Sequence, residues 1–196
     1  MFFNIVVNAT IILQYILNNK LLIRIYNKNI DLRYSMSILI REAVSKDMSK
    51  VLELIKELAI FEEEPDAVIL TEKQLINDGF SSSPKFKCYV AELNQKIVGM
   101  ALLYPRYSTW KGPTIHLEDL IVTKSVRGKG IGFKLFSKVI HYAFQLNVKR
   151  VEWAVLEWNK NALDFYKKNG AQVLDDWKVA QMDLNAIKKF VRNENF

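Results

Sequence analysis

The sequence predicts one α/β domain with a mixed β-sheet, and three observations support this fold class. Residues Ile115–Leu146 comprise a short apolar segment, a glycine-rich segment and a segment with apolar residues at helical spacing, which is typical of a strand, a loop and a helix. From Ile38 onward, apolar segments of strand length alternate with amphipathic segments. The chain has 196 residues, 50% of them hydrophobic, which is enough for one core.

Six strands are predicted, and helix or turn signals separate them. They are Ile38–Arg41, Lys87–Leu93, Ile97–Tyr104, Ile115–Val122, Val151–Glu157 and Val179–Leu184. The pair Asn94 and Gln95 predicts a hairpin turn between the second and third strands. The segment Tyr107–Pro113 is interpreted as a loop.

Helices are predicted between the strands and at the C-terminus. They run from Ser45 or Asp47 to Phe61, from Thr71 to Gly79, from Phe133 to Leu146, from Asn159 to Asn169 and from Leu184 to Val191. Thr71 and Gln74 form a capping box at one helix start. Gly79 and Gly170 stand at positions where a C-terminal glycine commonly ends a helix.

The composition excludes several classes of protein. Cys88 is the single cysteine, which excludes a disulfide framework and a C-x-x-C metal or redox site. His116 and His141 lack the spacing of metal ligands, so no metal is predicted. The net charge is +7, but the basic residues are interleaved with acids, so no nucleic-acid partner is predicted. No sequence signature of a nucleophilic hydrolase or of a metal-dependent hydrolase is present.

The N-terminal extension, residues 1–35, differs in composition from the domain at 36–196, and three interpretations of it stay open. It is apolar at first, and no acid occurs before Asp31. It is interpreted as a membrane anchor or signal, as an organellar presequence, or as a segment absent from a native chain that starts at Met36.

The glycine-rich segment Val126–Gly132 predicts a binding site for a phosphate or pyrophosphate. Glycines between a strand and a helix allow backbone N–H groups to point at one place, and the helix N-terminus adds positive charge there. The spacing matches neither the dinucleotide fingerprint nor the Walker loop. Four basic residues lie in or beside the segment, namely Lys124, Arg127, Lys129 and Lys134. They favour an anionic cofactor, and a solvated loop is the alternative.

The R-G-x-G-x-G pattern resembles the acetyl-CoA loop of the GCN5-related N-acetyltransferases, the GNAT superfamily. Three further segments, Ile55–Glu62, Tyr107–Val122 and Val155–Ala171, are similar to the diamine acetyltransferases, which include the spermidine/spermine and thialysine enzymes. The resemblance covers roughly residues 38–183. It implies a GNAT domain at 36–196, with a mostly antiparallel twisted sheet, helices on both faces, and acetyl-CoA in a splay between the central strands.

The resemblance also implies which residues bind the cosubstrate acetyl-CoA. Backbone groups of the strand before the loop would face the acetyl group and the pantetheine, the loop would hold the pyrophosphate, and the start of the next helix would line the other side. These positions are Leu120, Ile121 and Val122; Arg127, Gly128, Lys129, Gly130, Ile131, Gly132 and Phe133; and Asn159, Lys160, Asn161 and Ala162.

Tyr166 matches the general acid of the family, and the alternative from the residues alone is a core aromatic side chain on an amphipathic helix. Glu118 is the candidate that orients the amine and takes its proton. Asp119 is expected on the opposite face of the strand, with a structural role or a role in a partner subunit's site. Phe61, Glu62 and Asp176 are further candidates for contacts with the substrate.

The resemblance implies a small primary amine as acceptor, and several alternatives stay open. Ser108 stands where spermidine-directed members carry an Asp, which favours thialysine or a short diamine over polyamines. A peptide or protein amine is an alternative, and so is a non-catalytic acetyl-CoA-binding protein. A homodimer in the cytoplasm is expected, with no membrane association of the domain itself.

Overall fold

The computed structural model describes residues 19–20 and 38–193, and these divide into two compact units that meet between Trp153 and Ala154. The N-terminal extension lies almost entirely outside the described residues, so its three interpretations stay predictions. The elements of the first unit are β1 Ile38–Glu42, α1 Met48–Phe61, α2 Glu72–Phe80, β2 Lys87–Leu93, β3 Lys96–Ser108, β4 Gly112–Val122, α3 Ile131–Gln145 and β5 Val151–Glu152. The second unit contains α4 Lys160–Lys168 and α5 Leu184–Asn193.

The five strands form one mixed sheet in the order β1-β2-β3-β4-β5. The pairs from β1 to β4 are antiparallel, and β4 pairs with β5 in parallel. This arrangement confirms the predicted fold class. The β2–β3 turn is confirmed as well, because Asn94 and Gln95 both have positive φ, 50° and 63°, as a tight hairpin turn of this type requires.

Helices cover both faces of the sheet. On one face, α1 packs over β3 and β4 and α2 packs against α1, and the fully buried core there includes Met48, Val51, Leu54, Val90 and Met100. On the other face α3 packs over the same strands, with Leu135 and Val139 buried. Because alternate residues of a strand face opposite sides, Cys88, Val90, Met100 and Leu102 define what we call the α1 face.

The hairpin between β3 and β4 corrects the predicted loop at Tyr107–Pro113. Strand β3 continues to Ser108 and β4 begins at Gly112, and Ser108 pairs with Gly112 across the turn. Thr114 holds the arm of the hairpin together, because its buried hydroxyl donates a hydrogen bond of 3.1 Å to the Arg106 carbonyl. The prediction relied on apolar patterns, and the polar residues of this segment therefore gave no indication of the pairing.

Three other predicted elements are corrected by the structure. Strand β5 ends at Glu152 rather than Glu157, because its pairing with β4 stops there. Residues 179–183 form no strand, since no strand within residues 38–193 pairs with them. Gly79 lies inside α2 with a non-positive φ, and its role is close packing: a Cβ there would lie 2.6 Å from the Phe86 ring. The capping box of Thr71 and Gln74 is confirmed.

Gly99 on β3 has no room for a Cβ beside β4, and we predict that Gly99→Ala destabilises the fold. A Cβ at Gly99 would lie 2.7 Å from the Ile121 carbonyl oxygen. Because that oxygen belongs to the backbone, the strands must separate, and we expect a loss of about 1–3 kcal/mol in the free energy of unfolding, measured in urea. Gly132→Ala is the matched control, since the nearest atom there is 3.8 Å away and the helix favours alanine. A loss of equal size in both variants would contradict the prediction.

Candidate active site

The glycine-rich segment forms an open turn at the N-terminus of α3. Gly128 and Gly130 have φ of 78° and 77°, and a Cβ at either glycine would meet no atom within 4 Å. Gly130 caps α3, which begins at Ile131, two residues earlier than predicted. The first N–H groups of a helix have no partner within it, so an anionic group can approach them over bare glycine backbone.

Within residues 38–193, the end of β4 that leads into this turn is paired with a strand on one side only. Residues Leu120, Ile121 and Val122 pair with β3 on one side. On the other side, among the described residues, β5 pairs only with Ile115 and His116. Backbone N–H groups of a strand alternate in direction. The segment from Leu117 to Val122 therefore presents unused backbone donors and acceptors along that edge.

Two side chains hold the glycine turn against the rest of the unit. Arg127 donates a hydrogen bond from Nε to the Val122 carbonyl at 2.7 Å, and its guanidinium lies 5.1 Å from the centre of the Phe61 ring. The Glu57 carboxylate accepts from the Thr123 hydroxyl at 3.0 Å and from the Lys124 N–H at 2.9 Å. The end of α1 is thus joined directly to the segment that leads into the glycine turn.

A β-bulge lies in β4 at Glu118. Leu102 pairs with Asp119 and Leu103 pairs with Leu117, so Glu118 is an extra residue opposite this pair. The extra residue interrupts the alternation of side chains. Glu118 and Asp119 consequently both project on the α1 face, which corrects the expectation that they lie on opposite faces.

The bulge brings three carboxylates together on the α1 face. Burial, together with the charges of Glu118 and Glu62, raises the pKa of Asp119 to about 7. Partial burial also raises the pKa of Glu62, which follows the last residue of α1. Glu118 is the most accessible acid of the pair on β4, with a side chain 51% exposed. This cluster therefore combines a solvent-accessible carboxylate with one that titrates near neutral pH.

Tyr104 and His116 complete the surroundings of Glu118. They pair across β3 and β4, and their rings stack with centres 5.1 Å apart. His116 Nε2 lies 3.6 Å from Glu118 Oε2. Burial raises the pKa of Tyr104, and the charge of Glu118 and a hydrogen bond to it contribute to the rise. The Glu118 carboxylate is therefore held by two ring side chains.

The second unit carries the remaining predicted residues on α4. Asn159 caps this helix, because its side-chain oxygen accepts from the Ala162 N–H at 3.2 Å. Lys160 and Asn161 are exposed in the first turn. Tyr166 is buried, and burial raises the pKa of its phenol to about 12. Gly170 has φ of 88° and ends the helix as predicted.

Comparison with known proteins decides the family. Residues 48–171 match the family described as Acetyltransferase (GNAT) family. The chain is 42% identical to thialysine N-epsilon-acetyltransferase of Bos taurus over 163 residues, which is 78% of this chain and 96% of the relative.

The chain belongs to the GNAT acetyltransferase family.

Other relatives of this GNAT enzyme have names that mention different amines. Spermidine/spermine N(1)-acetyltransferase-like protein 1 of Homo sapiens is 35% identical over 67% of this chain and 20% of that protein. L-ornithine N5-acetyltransferase NATA1 of Arabidopsis thaliana is 31% identical over 63% of this chain and 55% of that protein. The named relatives are N-acetyltransferases, and this chain is an N-acetyltransferase.

Solved structures agree on the fold. An integron cassette protein of V. cholerae has a TM-score of 0.67 at 25% identity, covering 81% of this chain and all of that one. An aminoglycoside acetyltransferase, meta-AAC0020, has a TM-score of 0.60 at 23% identity, covering 74% and 97%. Both support the GNAT fold for this chain.

Sequence reasoning located the GNAT loop and the acids but missed their neighbours. Glu57, Tyr104 and His116 received no role from the sequence. The signal for His116 was available, because it stands two residues before Glu118 on a predicted strand and so shares its face. Asp176 lies exposed in a bend of the second unit, and its contact with substrate stays a prediction.

Within residues 19–20 and 38–193, no group of three or more His, Cys, Asp or Glu side chains is placed to hold a metal ion. No helix in the same ranges has the length and apolar character needed to cross a membrane.

The raised pKa of Asp119 predicts a specific pH dependence of stability. Asp has a pKa of about 3.9 in an unfolded chain. Between about pH 4 and pH 7 the folded state therefore binds more protons than the unfolded state, and stability falls as the pH rises through this window. Asp119→Asn removes this pH-dependent contribution to the free energy of unfolding. We expect the stability of the variant relative to the parent to rise by roughly 1–3 kcal/mol from pH 5 to pH 8 in urea unfolding.

Asp66→Asn serves as the control for this experiment, because Asp66 is exposed in the turn after α1. Its stability relative to the parent should stay constant from pH 5 to pH 8. A constant difference for Asp119→Asn as well would contradict the raised pKa.

Proposed function

We propose that this protein is an acetyl-CoA-dependent N-acetyltransferase that acts on a primary amine of a small cationic substrate, such as thialysine, another lysine analogue or a short diamine. The observation that carries the proposal is the cluster of Glu62, Glu118 and Asp119 on the α1 face, beside the strand that leads into the glycine turn. Opposite charges attract a cationic amine to such a cluster.

The residues of the first unit fit acetyl-CoA. Gly128 and Gly130 leave room for a pyrophosphate at the start of α3, and Lys129 and Lys134 are exposed beside it. Acetyl-CoA supplies an acetyl thioester with a polarisable carbonyl group when it is bound. The unpaired edge of Leu120–Val122 offers backbone N–H groups that stabilise negative charge on a carbonyl oxygen.

The acid cluster prepares the amine. An ammonium group must lose a proton before its nitrogen can form a bond to the carbonyl carbon. Glu118 accepts this proton through water, since its side chain is partly open to solvent and is oriented by His116 and Tyr104. Asp119, with a pKa near neutrality, shares the proton with Glu118 through the same cluster. Glu62 adds attraction for the cation.

Tyr166 acts as the general acid for the thiolate that leaves when the acetyl group is transferred. When the new carbon–nitrogen bond forms, the carbon–sulfur bond breaks, and Tyr166 gives its phenolic proton to the leaving thiolate. The raised pKa keeps this phenol protonated at neutral pH, so the proton is available at each turnover. Asn159 orders the start of the helix that carries Tyr166.

Polyamine acetylation is the second candidate. Three carboxylates in one cluster suit a substrate with several positive charges, and one relative is named for spermidine and spermine. Ser108 carries no charge at the position where an acid would favour spermidine. A homodimer, implied by the family resemblance, is part of the proposal and is testable by sedimentation.

Substitution of Tyr166 tests the general acid. We expect Tyr166→Phe to lower kcat by roughly 10²–10⁴, since a positioned acid contributes that much, while the affinity for acetyl-CoA is kept. Thiol release gives kcat, and calorimetry gives the affinity. Tyr142→Phe is the control, because the ring of this tyrosine makes an edge-to-face contact with Tyr89 within the first unit, and this variant should turn over normally. Normal turnover by Tyr166→Phe would remove Tyr166 from the role.

An amine panel tests the substrate class. Thiol release from acetyl-CoA is measured with thialysine, putrescine and spermidine under one set of conditions. We expect kcat/KM to be highest for thialysine or putrescine. A much higher kcat/KM for spermidine would favour the polyamine candidate, and absence of thiol release with every amine would overturn the proposed function.

A further inference from the structure

Toward the turn of the β3–β4 hairpin, the side chains on the α1 face change from apolar to polar. Leu102 and the residues before it on this face are buried in the core, whereas the next residues in register are Tyr104 and Arg106 on β3. Tyr104 pairs with His116, and His116 pairs with Glu152 on β5. Paired residues share a face, so these side chains form one polar strip that begins at Glu118.

Two arginines and one glutamate stand at the end of the polar strip away from Glu118. Arg106 NH1 lies 2.8 Å from Glu152 Oε1, and Arg150 Nε lies 2.9 Å from Glu152 Oε2. The angles leave Arg150 Nε and Glu152 Oε1 without a regular hydrogen bond among the described residues. The trio carries a net charge of +1, because one carboxylate faces two guanidinium groups. Each guanidinium has five donors, so most of them remain for another acceptor.

The two ends of the polar strip have opposite charge and are close enough for one small molecule to contact both. Glu118 reaches back toward His116 from one side, and Arg106 reaches Glu152, which pairs with His116, from the other. Neighbouring strands lie about 5 Å apart, and alternate residues of one strand lie about 7 Å apart. The acid end and the basic end are therefore separated by the length of an extended lysine-like side chain.

We infer that Arg106 and Arg150 form a subsite for the α-carboxylate of an amino-acid substrate whose side-chain amine lies at Glu118. The inference rests on the proposed function and narrows it from small cationic amines to basic amino acids. Guanidinium groups bind carboxylates through paired hydrogen bonds. A diamine of the same length would place an ammonium group against two guanidinium groups, where like charges repel.

Arg106 is suited to this role by its accessibility. Its side chain is 54% exposed, whereas Arg150 is 37% exposed and Glu152 23% exposed. Glu152 holds both guanidinium groups in place from the sheet side. A ligand carboxylate can thus reach Arg106 from solvent without disrupting the pairing beneath it.

Calorimetry with two matched ligands tests the subsite. The ligands are thialysine and bis(2-aminoethyl) sulfide, which is thialysine without its carboxylate, each titrated into the full chain saturated with CoA so that no reaction occurs. We expect the parent protein to bind thialysine more tightly than the diamine. Arg106→Gln and Arg150→Gln should each weaken thialysine binding about 10- to 100-fold, the usual effect of losing a charge-assisted hydrogen bond, with diamine binding unchanged or improved.

Lys111→Gln is the matched control, because Lys111 lies exposed in the turn of the same hairpin and its loss changes the net charge equally. It should leave both affinities unchanged. A parent protein that binds the two ligands equally, or binds neither, overturns the inference, as does an equal loss for both ligands in the arginine variants. Arg106-dependent binding of thialysine without thiol release from acetyl-CoA would retain the subsite and overturn the proposed transfer.

Discussion

The bulge in β4 is the constraint on which the arrangement of the acids depends. A regular strand would send Glu118 and Asp119 to opposite faces, and one of them would enter the core around α3. The extra residue leaves both carboxylates on the α1 face, where Glu62 joins them at the end of α1. Burial and the repulsion from the neighbouring carboxylates then raise the pKa of Asp119 to about 7. A pKa near neutrality is the condition for exchanging protons at physiological pH.

In the proposed function, the cofactor and the amine bind along one strand, β4. After His116, β4 has no further pairing with β5 among the described residues, and beyond the bulge it leads into the glycine turn. Before the bulge, it carries His116 and the polar strip. Arg127 and Glu57 join the turn to α1, which ends at the acid cluster. These contacts join the strand that is proposed to bind the acetyl group to the helix that ends at the acid cluster.

Local signals predicted those parts of the fold that depend on neighbouring residues. The Asn94–Gln95 turn, the Thr71 capping box and the glycine turn each need only a few adjacent residues. The parts that failed depend on partners distant in sequence. Strand β5 ends where its pairing with β4 stops, residues 179–183 have no strand partner among the described residues, and the Phe86 ring leaves no room for a Cβ at Gly79. The bulge also depends on a distant partner, because it is defined only by the register of β4 against β3. No residue type in H-L-E-D-L predicts it.

Titration of the Asp119 side chain is the most direct test of whether Glu118 and Asp119 lie on the same face of the sheet. Nuclear magnetic resonance of the labelled carboxyl carbon gives its midpoint in the parent protein and in Glu118→Gln. We predict a midpoint near pH 7 in the parent and a clearly lower midpoint in the variant, since removal of a nearby negative charge favours ionisation. The same midpoint in both proteins would mean that the two carboxylates do not face each other, and would contradict the account.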